Sequence, residues 1–270
     1  MLTLTRTVRF AVNPPRLGPA ATREGPNGYA GSPPVRGLGR HYEIDVVCGG
    51  GVDPVTGYLV NIKDIDRAVH ATAVPLIARA CAERPDADPA DLLPEIREGL
   101  ASTALGARIR SVRWRLSPYY SVEMASQEPG TVLLRQRFDF SASHRLHSPA
   151  LSEEENRRLY GKCNNPSGHG HNYQFEPCVA MPGAGGERRF ALDDLERLAE
   201  ETIIRRFDHK NLCADTREFA AAGGLNPSVE NIARVFYDLL APAVREAGAG
   251  AQLRSITVWE TDRTSATYPG

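Results

Sequence analysis

Long apolar runs are missing from this sequence, and so is a net charge. No stretch approaches the roughly 20 apolar residues that a transmembrane helix needs, and Arg6 and Arg9 interrupt the N-terminal segment before a signal-peptide core could form. The formal charge is only −1, so no global basic field favours nucleic acid or anionic lipid as a partner. We therefore expect a cytoplasmic protein that binds neither membrane nor nucleic acid.

Cysteines are also few. Five in 270 residues, an odd number without a dense framework, indicate reduced thiols rather than a disulfide scaffold. No Gly-x-Gly-x-x-Gly segment follows a predicted strand, so the sequence shows no sign of a nicotinamide or flavin site. A chain of this length, 41% hydrophobic, can form one large domain or two of ordinary size.

What the sequence does contain is a run of small and polar residues, 161–173, with two histidines two positions apart. On a strand, His169 and His171 leave the same face. His144 ends an alternating run that starts at Phe138, so a neighbouring strand can bring it to the same point. Three imidazoles suit zinc and leave a tetrahedral ion one open position, as in catalytic sites. We predict a zinc site at these three histidines, with Cys163 beside it; the alternative is a solvated histidine pair.

Three short landmarks recur at an offset of 130 or 131 positions. They are Phe10-Ala11-Val12 with Phe140-Ser141-Ala142, His41-Tyr42 with Asn172-Tyr173, and Asn61–Ile65 with Ala191–Leu195. The constant offset predicts two tandem repeats, which we place at residues 1–130 and 131–270.

Each repeat is expected to be an α+β unit, a four-stranded antiparallel sheet with two helices on one face. The expected order is strand, loop, strand, turn, strand, helix, helix, strand, with Val52–Tyr58 as the hairpin between strands two and three. In the second repeat, Ser152 and Ser228 are predicted helix N-caps, a helix runs from Leu192 to near Phe207, and the last strand covers Arg254–Thr261. The second face of each sheet still needs a cover, so we expect association.

These residues resemble the 6-pyruvoyl-tetrahydropterin synthase family, which includes the 6-carboxytetrahydropterin synthases. The resemblance covers essentially all of residues 136–270. The matching motifs are Phe140–Leu146, Leu151–Asn156, Gly161–Tyr173, Phe207–Leu212, Glu230-Asn231 and Trp259–Asp262.

The resemblance implies the tunnelling fold (T-fold), in which the sheets of several subunits close into a barrel. It implies that His144, His169 and His171 bind zinc and that Cys163 is the general base. It further implies that Asp208 and His209 complete a catalytic relay and that the carboxylate of Glu260 holds the pterin. Ser228 and Glu230 match a loop that lines the family's pterin pocket, although a helix N-terminus explains both residues equally well.

The implied reaction converts 7,8-dihydroneopterin triphosphate to 6-pyruvoyl-5,6,7,8-tetrahydropterin with release of triphosphate, a carbon–oxygen lyase reaction. Five residues separate Cys163 from His169, which favours this reaction over that of a 6-carboxytetrahydropterin synthase. A non-catalytic pterin-binding or assembly scaffold is the third hypothesis, and it suits the first repeat better than the second.

The first repeat departs from the motifs. Aligned on the offset, Pro14 stands in place of His144, Leu38 and Arg40 replace the two later histidines, and Leu116 falls near the position of Glu260. We therefore predict a degenerate, non-catalytic first repeat. A family hexamer of single repeats would then become a homotrimer of two-repeat chains.

Overall fold

The computed structural model describes residues 2–13, 35, 37–183, 190–221 and 223–269. The chain forms two compact units, one of Met1–Leu134 with Pro182–Glu187 and one of Arg135–Met181 with Arg188–Gly270. The predicted boundary, after residue 130, lies at the turn before strand β5 (Thr131–Gln136). The first unit ends at Leu134 and the second begins at Arg135, both within this strand. No helix in the described part of the chain is long and apolar enough to cross a bilayer.

The first unit contains a four-stranded antiparallel sheet in the order β1-β2-β3-β4. Alternate strand residues such as Phe10, Ile44 and Val46 are buried, as the period of a half-covered sheet requires. Asn61 caps the first helix by accepting a hydrogen bond from the backbone N–H of Lys63. The elements are β1 Leu2–Val12, β2 Arg40–Gly50, α1 Ile62–Glu83, α2 Pro89–Ala101, β3 Ile109–Arg115 and β4 Tyr120–Ala125.

The second unit has a corresponding antiparallel sheet, and a short additional strand pairs with its first strand in parallel. Ser152 forms a capping box with Glu155, and the hydroxyl of Ser228 caps the long helix, as predicted. A π-helical turn, Glu200–Ile204, interrupts the helix predicted to end near Phe207. The elements are β6 Phe138–His144, α3 Glu153–Tyr160, β7 His169–Pro182, α4 Leu192–Ala199, α5 Arg205–Phe207, β8 Lys210–Asn211, α6 Leu212–Asp215, α7 Val229–Glu246, β9 Gln252–Thr261 and β10 Thr264–Tyr268.

The fold class is confirmed, but the predicted order of elements is wrong. In both units two strands come first, the main helices follow, and a strand pair closes the unit; in the second unit the short helix α3 lies between the first two strands. The segment Val52–Tyr58 is a turn leading to α1, because the carboxylate of Asp53 accepts hydrogen bonds from the backbone N–H groups of Val55 and Thr56. The polar strand β10, which has no apolar alternation, escaped prediction.

The two sheets share a register. Phe10 lies opposite Tyr42 in the first unit, and Phe140 lies opposite Tyr173 in the second. The ring centroids in these pairs are 5.9 Å and 4.8 Å apart. The offset seen in the sequence therefore corresponds to equivalent strand positions in the two units. Pro14 and most of the predicted 14–40 loop lie outside the described residues.

Candidate active site

Strand pairing brings the three predicted metal ligands together. His144 at the end of β6 lies opposite His169 at the start of β7, and His171 follows on the same face of β7. The ring centroids are 4.5 Å apart for His144 and His169, 5.2 Å for His144 and His171, and 4.9 Å for His169 and His171. The three imidazoles thus converge on one point.

The donor atoms of this cluster fit a metal ion. One ring nitrogen of each histidine lies within 4.8 Å of the others, and Nε2 of His144 is 3.1 Å from Nε2 of His169. Tetrahedral zinc, with Zn–N bonds of about 2.0–2.1 Å, would hold its nitrogens about 3.4 Å apart. Nε2 of His171 is buried without a hydrogen-bond partner among the described residues. A bound cation would satisfy this atom and relieve the close approach of the other two.

The ring of His144 is oriented by groups behind it. Its side chain is fully buried, and Nδ1 donates a hydrogen bond to the backbone carbonyl of Pro227 at 2.7 Å. This bond leaves the Nε2 lone pair for a metal. Burial, together with the two neighbouring imidazoles, lowers the pKa of His144 to about 4, although the Pro227 carbonyl opposes the shift. Burial also lowers the pKa of His171. Both rings are therefore neutral near pH 7, the form that binds metal.

Glu260 lies at the same cluster. Its Oε1 is 3.3 Å from Nε2 of His144 and 3.5 Å from Nε2 of His171, and its side chain is mostly buried. Ile256 and Val258, four and two residues earlier on the same face of β9, are fully buried. The structure thus places the Glu260 carboxylate beside the histidine cluster, while its contact with a pterin stays a prediction.

Hydrogen bonds fix the turn that carries Cys163, which lies close to the histidine cluster. It lies in the 3-10 turn Gly161–Asn164, and its carbonyl accepts a hydrogen bond from the backbone N–H of Leu146 at 2.8 Å. The buried side chain of Asn164 donates to the carbonyl of Leu146 at 2.7 Å. Cys163 and His169 line one cavity of about 710 Å³. The thiol and one imidazole of the cluster therefore border the same open space.

Gly168 permits the approach of this turn to β6. Its φ of +71° lies in the left-handed region, and a Cβ there would come within 2.9 Å of the carbonyl oxygen of His144. Only glycine meets both conditions, and the next residue is His169 of the histidine cluster.

Asp208 and His209 form a hydrogen-bonded pair at the edge of β6. Oδ2 of Asp208 lies 2.7 Å from Nδ1 of His209, while its Oδ1 accepts from the backbone N–H of Ser141 at 2.8 Å. Burial alone would raise the pKa of Asp208, but hydrogen bonds from Ser141 and His209 outweigh it and lower that pKa. His209 has a left-handed φ of 55° and an 81% exposed side chain. The pair presents an oriented imidazole to solvent.

Within a single chain, the second unit does not bring Cys163 together with the Asp208–His209 pair. His209 and His171 line a cavity of about 420 Å³, whereas Cys163 and His169 line the larger one. Among the described residues, no hydrogen bond or ion pair joins Cys163 to His209. Their joint role stays a prediction.

The two predicted pterin-pocket residues on α7 lie apart from these cavities. The hydroxyl of Ser228 accepts from the backbone N–H of Asn231, and Glu230 is exposed in the first helical turn. Neither residue lines the cavities that Cys163 and His209 line. Helix capping accounts for Ser228, and a pterin contact of either residue stays a prediction.

The described part of the first unit has no comparable cluster of metal-binding groups. Arg40 lies opposite Val12 in the register that places His171 opposite Ala142. Glu43 pairs with Arg115 as Gln174 pairs with Trp259, so the next residue, Leu116, occupies the position of Glu260. These two equivalences agree with the sequence alignment of the repeats. The register does not test the other two predicted equivalences, since Leu38 precedes β2 and Pro14 is outside the described residues.

Sequence reasoning missed three contributors to the site. The backbone carbonyl of Pro227, in a loop distant in sequence, orients the ring of His144. A backbone acceptor of this kind cannot be predicted from residue type. Asn164 lies inside a matching motif, but no role was predicted for it. Its buried side-chain amide has several hydrogen-bond partners, as is typical of a residue that fixes a loop. Cys213, to which the motifs assign no role, exchanges hydrogen bonds with the backbone of Arg145 at 3.4 Å.

Known proteins resemble about half of this chain. The family model for 6-pyruvoyl tetrahydropterin synthase matches residues 133–270. The 6-pyruvoyl tetrahydrobiopterin synthase of Homo sapiens is 42% identical over 138 residues, which cover 50% of this chain and 89% of that protein. The Drosophila melanogaster protein of the same name is 38% identical over 149 residues, covering 54% and 83%. The solved Caenorhabditis elegans 6-pyruvoyl tetrahydropterin synthase is 30% identical, with a TM-score of 0.47, over 52% of this chain and 96% of that one.

Proposed function

Because the chain belongs to the 6-pyruvoyl tetrahydropterin synthase family, we propose that its second unit converts 7,8-dihydroneopterin triphosphate to 6-pyruvoyl-5,6,7,8-tetrahydropterin and triphosphate. The observation that carries this proposal is the cluster of His144, His169 and His171, of which His169 lines one cavity together with Cys163. The curated relatives named for this activity support an enzyme of the same type.

The reaction balances without an external oxidant. Two side-chain carbinol carbons are oxidised to carbonyls. One of these oxidations is balanced by reduction of the ring from the dihydro to the tetrahydro level. The other is balanced at the terminal carbon, which loses triphosphate through cleavage of its C–O bond and becomes a methyl group. Each change requires protons to leave carbon or oxygen and return elsewhere. The enzyme therefore needs proton-accepting groups placed along the side chain, and a group that stabilises negative charge on its oxygens.

Zinc is the metal we propose for the three-histidine cluster, since neutral imidazoles and an open position suit it. When bound, it supplies Lewis-acid polarisation of the two side-chain hydroxyls. Pro227 holds His144 in the tautomer that this binding requires, and Glu260 stands at the rim of the cluster as an acceptor for a polar group of the substrate.

Cys163 is the group we assign to proton removal from the substrate side chain, because its thiol shares the cavity with His169. The imidazole of His209, oriented by Asp208, is the second proton carrier. His209 is exposed and lines a different cavity from Cys163. It therefore acts on the Cys163 thiol of a neighbouring chain in the assembly. A shared site of this kind agrees with the family's assembly into barrels.

The first unit is proposed to be a degenerate repeat that supplies sheet and edges to the assembly. It keeps the strand order and the Phe–Tyr register of the second unit, but Arg40 and Leu116 replace the ligand and the carboxylate. Within the described ranges, strand β1 pairs on one side only, with β2, and such an edge favours association. Three chains would then build the particle, with one metal site each.

Product analysis tests the function. The zinc-loaded protein should consume 7,8-dihydroneopterin triphosphate and release triphosphate with the 6-pyruvoyl product. His169→Ala should abolish turnover, whereas His41→Ala, at an exposed histidine of the first unit, should leave it unchanged. A 6-carboxy product would identify the sister activity instead. Binding without any turnover would contradict the enzyme assignment and favour the scaffold.

A further inference from the structure

The cavity beside Cys163 is lined by an unusual set of charges. Its wall carries three cations, Arg145, Arg157 and Lys162, against a single carboxylate, that of Glu153. The other polar groups of the wall are neutral amides, the thiol and the ring of His169. The lining therefore has an excess of positive charge directly beside the proposed reaction centre.

Two of the three cations have no partner in the part of the chain that the structure describes. Arg145 is committed, since its Nε donates to the carbonyl of Asn164 at 3.0 Å and its Nη2 to the Asn164 side chain at 3.2 Å. Arg157 and Lys162 make no side-chain hydrogen bond or ion pair with any described residue. Three other helical arginines of this unit, Arg197, Arg205 and Arg206, pair with carboxylates, whereas Arg158 on the same helix as Arg157 is also unpaired among the described residues.

The position of the phosphate ester on the substrate limits where the triphosphate group can bind. The phosphate ester is on the carbon next to the second hydroxyl-bearing carbon, so triphosphate must leave the histidine cluster through an adjoining cavity. Two described cavities adjoin the cluster, one at His169 and one at His171. The His171 cavity has Lys210 as its single Lys or Arg side chain among the described residues, so the cavity at His169 offers the stronger positive potential.

We propose that Arg157 and Lys162 form the subsite that binds the triphosphate group of the substrate, with Arg145 as the fixed cation behind them. This inference rests on the proposed function, which supplies the polyphosphate. Arginine pairs two phosphate oxygens at once and lysine acts as a compact point charge, so the two side chains complement each other. Both side chains are exposed, so binding depends on ionic strength.

Inorganic triphosphate is the direct probe. Titration calorimetry on the zinc-loaded full-length protein should show that Arg157→Leu/Lys162→Met weakens triphosphate binding about tenfold or more, the sum of two exposed charge contacts. Arg158→Leu is the matched control, because this arginine is the next residue on α3 and does not line the cavity. It should change the affinity by less than about twofold. Arg157→Lys should recover part of the lost affinity, which a folding defect would not allow.

Steady-state kinetics distinguish a failure of the triphosphate subsite from a failure of the proposed function. With 7,8-dihydroneopterin triphosphate as substrate, Arg157→Leu should raise KM by about three- to tenfold and leave kcat within about twofold. A wild type that binds triphosphate through these residues but never turns over the pterin would refute the function and leave the polyphosphate subsite standing. The subsite is wrong if the double variant binds triphosphate as tightly as the wild type, or if Lys210→Met causes the loss instead.

Discussion

Gly168→Ala tests how the turn that carries Cys163 supports the histidine cluster. The substitution imposes a left-handed φ of +71° on a residue with a Cβ, which costs about 1–2 kcal/mol. The new Cβ would also lie 2.9 Å from the carbonyl oxygen of His144, a backbone atom that cannot rotate away. Relief requires the turn to move, at a further cost of about 1–2 kcal/mol. The free energy of unfolding should fall by about 2–4 kcal/mol in total.

Gly248→Ala is the matched control. Gly248 also has a left-handed φ, +81°, but a Cβ there would meet no described atom within 4 Å. Its cost should be the conformational part alone, about 1–2 kcal/mol. Urea unfolding of both variants measures the difference, which is the cost of the contact with His144.

The same displacement should loosen the metal. Because His169 follows Gly168 directly and pairs with His144, a shift of the turn changes the separation of two ligand nitrogens. Competition with a chelator should show at least about a tenfold weaker zinc affinity for Gly168→Ala and no change for Gly248→Ala. Equal stability of the two variants, with unchanged zinc affinity, would refute this account of the turn.

Four shorter predictions concern the site and the assembly. Cys163→Ala should keep zinc but lose turnover by at least about a hundredfold, with Asp208→Asn milder; an unchanged rate for Cys163→Ala would exclude the thiol as base. Metal analysis should find one zinc per chain, and two would mean that the first unit also binds one. Mass measurement in solution should give about three chains, and an active monomer would contradict a shared site. The metal-free protein should lose up to about 3 kcal/mol of stability as pH falls from about 6.5 to about 4, because His144 takes up its proton only on unfolding; a His144→Gln variant with the same slope would contradict this.

Much of the site could be predicted because its information is local. Alternation along β6 places Phe140, Ala142 and His144 on one face, and the two-residue spacing of His169 and His171 does the same on β7. Each pattern depends only on the side-chain period of a strand. The helix caps at Ser152 and Ser228 were equally readable, since a cap bonds to residues two or three positions away.

The order of strands and helices was harder to predict from the sequence, because turn-forming residues do not specify whether a strand or a helix follows the turn. Asp53 and Gly57 are typical of a hairpin, yet here the chain leaves the turn toward α1. Strand β10 is stabilised by its pairing with β9 and not by an apolar pattern of its own. Both errors arose where the deciding contact lies in another element.

The sequence by itself determined which residue types stand at the site and which face of each strand they share. The tertiary structure decided how those faces meet: the β6–β7 register that sets His144 against His169, the Pro227 carbonyl that selects the tautomer, and the separate cavities of Cys163 and His209. Side-chain direction follows from the nearest backbone bonds. Register and distant hydrogen bonds depend instead on the packing of the whole unit, so no short segment can specify them.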